Sequence, residues 1–144
     1  MECSCKTCQN ACAYKPGWFL PGEIEKVAEY LNKPLKEVFD EYLAVDWYQD
    51  VPKDIFVIAP AIPGTKGGIY TADPRGKCTF YKEGKCSIHP VKPFECREYH
   101  HGEDSVSISD RHSEVAEEWK DNQQQVEDLL GIKPYTKEYY GWLY

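Results

Sequence analysis

Seven cysteines divide this 144-residue chain unevenly: MECSCKTCQNAC holds four of them in twelve residues, and sixty-five residues then pass before GKCTFYKEGKCSIHPVKPFEC supplies the other three. A chain this long can bury enough apolar surface to fold without crosslinks, so a thin core does not explain the thiols. An odd number cannot pair completely within one chain. The first residues are polar and lack the apolar core of a secretory signal, so the expected compartment is the reducing cytoplasm, where disulfide frameworks are rare. Metal ligation is the reading that remains.

The spacings suit it. The first group is Cys3-x-Cys5-x2-Cys8-x3-Cys12, whose x2 step lets two sulfurs converge from a tight turn, and the second is Cys78-x7-Cys86-x9-Cys96. Thiolate selects zinc or iron–sulfur clusters and disfavours calcium and magnesium. Zinc takes four nitrogen or sulfur ligands, and a cubane cluster takes four thiolates. An isolated cysteine is often just a small buried hydrophobe, but four in twelve residues are hard to read that way.

The rest of the chain supplies a body for such a centre. The composition, 42% hydrophobic and 28% charged, is that of a soluble globular protein without linkers, and residues 1–144 read as a single domain. A net charge of −7 argues against general nucleic-acid binding. The longest apolar run, IFVIAPAI, is too short to cross a membrane. Ile24, Val27, Ala28 and Leu31 share one helix face, Asn32-Lys33-Pro34 ends it, and Leu35, Val38, Phe39, Tyr42 and Leu43 repeat the pattern in a second short helix. DIFVIAPAI and GGIYTAD read as two strands joined by the turn PGTKGG. The cysteine segment from Gly76 to His101 reads as turns with one short helix near PFECREY. Val115, Trp119, Val126, Leu129 and Leu130 mark a last helix, ended by Gly131, and the aromatic-rich KPYTKEYYGWLY is expected to dock on the body.

Cys78, Phe80, Tyr81, Gly84, Cys86, Ile88, Pro93, Cys96, Arg97 and Tyr99 fall in register on a pattern similar to C-x-F-[LY]-x-x-G-x-C-x-I-[YH]-x-x-[RK]-P-x-x-C-R-x-[YF]. In this the chain resembles the YkgJ-type cysteine-cluster family of zinc- or iron-chelating domains. Cys5, Cys8 and Cys12 match three cysteines of its other signature, C-x2-C-x2-C-C; Ala11 stands where the fourth is expected, and Cys3 is additional. The resemblance implies one site fed by both cysteine groups, with the paired helices between them. Closing that long loop costs entropy that rises only slowly with length, and metal–thiolate bonds offset it.

Arg75, Lys77, Lys82, Lys85, Lys92 and Arg97 surround the second group, against Glu83, Glu95 and Glu98. Cations stabilise the negative charge of a thiolate-bound metal, and Arg97, next to Cys96, is the candidate to contact the cofactor. His89, His100 and His101 are near in sequence, but six or seven thiols leave no need for them. HHGED reads equally as a second metal or acid–base site and as a polar loop, and Asp46, Trp47 and Asp73 equally as a cleft lining and as ordinary turn residues. No phosphate loop, nucleophile elbow or HExxH motif occurs.

The expectation is therefore an α+β fold of short helices packed around a small β-sheet, organised by a metal centre ligated by Cys3, Cys5, Cys8, Cys12, Cys78, Cys86 and Cys96. The surplus of thiols and the nearby cations favour an iron–sulfur cluster, with a role as an oxidoreductase or accessory enzyme. The alternative is a structural zinc module for protein interaction or metal handling. The partner is a metal ion or cluster; the sequence names no substrate and no protein partner.

Overall fold

In a computed structural model of the protein, the described residues are 17–48, 54–70, 77–98 and 105–134. They form the expected α+β arrangement. Helix α1 (Glu23–Leu31) buries Ile24, Val27 and Ala28, and Asn32 closes it in the left-handed conformation, donating its backbone N–H to the carbonyls of Ala28 and Glu29. Pro34 then caps α2 (Leu35–Tyr42), which buries Val38 and Phe39.

Here the chain departs from its apolar periodicity. Leu43 is extended and opens strand β1 (Leu43–Tyr48), which pairs antiparallel with β2 (Ile55–Pro60) from Leu43 opposite Pro60 to Tyr48 opposite Ile55. Of the expected partner of β2, the GGIYTAD segment, residues 67–70 lie instead on the far side of β1, and residues 71–73 lie outside the described residues. The N–H groups of Val45, Gly67 and Tyr70 donate at 2.8 Å to Gly68, Leu43 and Val45, and Ile69 bridges Val45 in parallel. β1 is thus paired on both edges, which explains why Leu43, Ala44 and Val45 are all fully buried.

The outer edge of β2 is covered by groups distant in sequence. Phe56 donates its N–H to Oε1 of Gln123 (2.9 Å) and accepts from Nε2 of the same side chain (2.8 Å), so one amide imitates a neighbouring strand. Phe19 donates to the Ile58 carbonyl at 2.9 Å. An edge covered in this way offers no template for another chain.

The cysteine segment contains a hairpin that sequence reading treated as turns. β3 (Tyr81–Lys82) pairs with β4 (Lys85–Cys86), and Glu83 and Gly84 both take positive φ, +50° and +78°, as a two-residue hairpin turn requires. A 3₁₀ turn (His89–Val91) and helix α3 (Phe94–Glu98) follow, so the helix expected near PFECREY is present.

The C-terminal helix is two helices. α4 (Ser105–Trp119) and α5 (Gln123–Leu130) are separated by a 3₁₀ turn (Lys120–Asn122), and Gly131 ends α5 with φ +86°. At the break, the side chains of Asn122 and Gln123 donate to the carbonyls of Glu118 and Trp119, competing with the helical backbone. Trp119, Val126 and Leu129 nevertheless face one core, shared with Phe19, Phe39, Ile58, Phe80 and Ile88. Among the described residues no helix is long and apolar enough to cross a membrane. The C-terminal KPYTKEYYGWLY, except Lys133 and Pro134, lies outside the described residues.

Candidate metal centre

The non-cysteine residues of the second motif explain how its cysteines are presented. Phe80 and Ile88, on either side of the hairpin, are buried in the core, and Phe80 stacks on Tyr42 with ring centroids 5.4 Å apart. Thr79 donates its N–H to Ala61 at 2.8 Å, tying the segment to the end of β2. Cys78 is therefore buried, while Cys86, opposite Tyr81 on β4, is half-buried.

Cys96 sits on α3, a helix of five residues that could not persist alone. Two carboxylates hold it. Glu23 of α1 uses one oxygen to accept the N–H groups of Phe94 (3.0 Å) and Leu20 (2.8 Å). Glu95 accepts the N–H of Trp18 at 2.7 Å and, on its other oxygen, a hydrogen bond from Nδ1 of His112 at 2.5 Å. The indole of Trp18 lies against the His112 ring, tilted by 31° with centroids 4.2 Å apart, and donates to Asp46 at 2.8 Å. Every buried side-chain nitrogen and oxygen among the described residues has a hydrogen-bond partner.

The segment leading from the first cysteine group enters at this point. Gly17 donates its N–H to Sγ of Cys96 at 3.4 Å, and a Cβ at residue 17 would lie 2.6 Å from Cβ of Glu95, so only glycine allows the approach. Gly17 is five residues after Cys12 in the sequence.

The surrounding charges are mixed. Desolvation raises the Asp46 carboxyl above its ordinary range, although hydrogen bonds from Trp18 and Trp47 and the charge of His112 oppose the shift. Burial holds the Tyr70 hydroxyl well above the usual phenol range, and the charges of Asp46, Cys78 and Cys96 add to this. The Tyr70 hydroxyl itself donates to the Pro60 carbonyl. Lys77, Lys82 and Lys85 are exposed, whereas Lys92 is buried with its Nζ 3.5 Å from Nδ1 of His89.

Among the described residues no group of three or more His, Cys, Asp and Glu side chains is arranged to hold a metal, and no disulfide joins Cys78, Cys86 and Cys96 to one another. Cys3, Cys5, Cys8, Cys12, Asp73, His100, His101 and the acids of HHGED lie outside the described residues, as does the side chain of Arg97. Gly17, Trp18 and His112 carry no role in the sequence pattern, and Glu95 reads there only as an acid among the cations of the second cysteine group. The one signal for them was Pro16-Gly17-Trp18, a turn dipeptide before a large aromatic, placed just after the first cysteines.

Cysteines on a hairpin and a short helix, beside the incoming N-terminal segment, define a small α+β cysteine-cluster protein. The CxxCxxCC family, described as a "putative zinc- or iron-chelating domain", matches residues 4–126, and the chain belongs to that family. Family membership supports metal binding, and the donors fit: thiols are the ligands zinc and iron prefer, and an N–H directed at Cys96 is a group that stabilises a thiolate. No curated protein and no solved structure matches the chain.

Proposed function

We propose that residues 1–144 act as one unit in which thiolates of both cysteine groups, Cys3, Cys5, Cys8 and Cys12 with Cys78, Cys86 and Cys96, ligate a shared iron–sulfur centre with a redox or accessory role. The observation that carries this is the contact of Gly17 with Cys96, which brings the chain to within five residues of Cys12 at the sulfur of the second group. Among the described residues Cys78, Cys86 and Cys96 form no metal-holding group of their own, and the shared-centre reading draws its other thiolates from the first cysteine group.

Three features favour iron over zinc. Seven thiols exceed the four that a closed zinc site uses. Hydrogen bonds to sulfur, such as that from Gly17, tune the potential of a cluster. The lysines of the hairpin, and Arg97 beside Cys96, offset the negative charge of thiolate ligation.

Anaerobic purification followed by metal analysis and a visible absorption spectrum is the test. Iron with acid-labile sulfide in a brown protein is expected. Stoichiometric zinc in a colourless protein would replace the cluster with a structural zinc site, leaving the shared ligands in place. Cys8→Ser, Cys12→Ser, Cys86→Ser and Cys96→Ser should each lower metal content; full metal in both Cys8→Ser and Cys12→Ser would defeat the shared centre.

A further inference from the structure

We infer that Glu95 and His112 are positioning residues that fix the incoming N-terminal segment against Cys96 and so set the affinity of the metal centre; this rests on the proposal that both cysteine groups share that centre. The N–H groups of two successive residues, Gly17 and Trp18, go to the side chains of two successive residues, Cys96 and Glu95. This pairing fixes the register of one segment on the other. A one-residue slip would send the Trp18 N–H to a sulfur and leave a buried carboxylate oxygen without its donor.

Glu95 is held in turn by His112, from a helix of fifteen residues that is anchored in the core by Val115, Ala116 and Trp119. Rigidity thus passes from α4 through His112 to Glu95, and from Glu95 to the backbone just after the first cysteine group. The imidazole also forms the surface against which Trp18 lies, while Asp46 holds the indole nitrogen. A carboxylate beside a thiolate repels it and disfavours the ionised form unless the carboxylate's own charge is taken up by donors. Glu95 therefore makes physical sense as the acceptor of two hydrogen bonds, and neither it nor His112 belongs to a metal-holding group among the described residues.

Two substitutions separate the nitrogen of His112 from its ring. His112→Phe keeps a ring against Trp18 and removes the donor to Glu95; His112→Asn keeps a donor near the position of Nδ1 and loses the ring. The side chain is 37% exposed, so both variants should fold. Each protein is stripped, reloaded with Zn²⁺ as the probe, and unfolded in denaturant with and without the metal; competition with a chelator gives the affinity. The shift that metal adds to the unfolding midpoint is the readout, since it follows affinity for the folded state.

His112→Phe should weaken Zn²⁺ binding by up to about 10-fold, the lower end of the effect of removing a group that contacts a ligand directly, because His112 acts through Glu95. It should shrink the metal-dependent shift accordingly, and His112→Asn should restore most of it. Equal losses in the loaded and stripped forms would make His112 merely structural and overturn the inference. So would unchanged Zn²⁺ affinity in His112→Phe. Failure of the shared centre appears separately, as full metal content in Cys8→Ser and Cys12→Ser.

Discussion

Gly17→Ala tests the join between the two halves of the proposed site with a single methyl group. The added Cβ would stand 2.6 Å from Cβ of Glu95, 3.0 Å from the backbone nitrogen of Cys96 and 3.2 Å from its sulfur. The first two neighbours are fixed by a helix turn and cannot rotate away, so the segment itself must lift. Overpacking of this kind costs about 1–3 kcal/mol. Lifting also weakens the Trp18 bond to the Glu95 carboxylate, and a hydrogen bond to a charged group is worth about 1.5–3 kcal/mol. Against this, alanine lowers the entropy of the unfolded chain and returns about 0.4–1 kcal/mol. The net expectation is a loss of about 2–4 kcal/mol, taking most of both costs less that return. Denaturant unfolding of the metal-free protein measures it, and chelator competition should show weaker metal retention in the same variant. A neutral or stabilising Gly17→Ala with unchanged metal retention would refute the argument that the segment is seated on Cys96.

Trp119→Phe removes the indole N–H that donates to the buried Phe19 carbonyl at 2.7 Å; thermal unfolding should register a loss of about 1–3 kcal/mol for the orphaned acceptor, with a further penalty from the cavity. Gln123→Ala uncovers the edge of β2 at Phe56, and hydrogen exchange at the Phe56 amide should accelerate while that of Val45, in the central strand, changes little. Asp46 has a folded-state pKa above its unfolded value, so the folded state holds more protons between the two. Its contribution is therefore most favourable at or below the unfolded value and declines as pH rises through the folded one; comparing Asp46→Asn with the parent over that window should show a shallower decline in the variant.

The helix pair was legible because its signals are local: apolar residues at helical spacing, Asn32 able to take the left-handed conformation, and Pro34 fixing the next start. The end of the second helix was not. Tyr42 and Leu43 continue the same spacing, and the change to strand at Leu43 occurs because β2 and residues 67–70 offer hydrogen bonds on both sides. The break after Trp119 was hidden for a related reason, since Trp119 and Val126 stay on the buried face whether or not a 3₁₀ turn lies between them.

By itself, the sequence determined the family, the cysteines that draw attention to a metal, and the short helices that frame them, since spacing and side-chain chemistry are properties of the linear chain. Only the tertiary structure decided that Gly17 meets Cys96 and that Trp18, Asp46, Glu95 and His112 form one network. The Trp18–Glu95 bond spans 77 positions of sequence, and no local periodicity encodes which carboxylate a distant amide will find. That choice follows from packing: helix α3 is held by Glu23 at its start, the tryptophan lies against the histidine, and a missing side chain at residue 17 lets the two backbones touch.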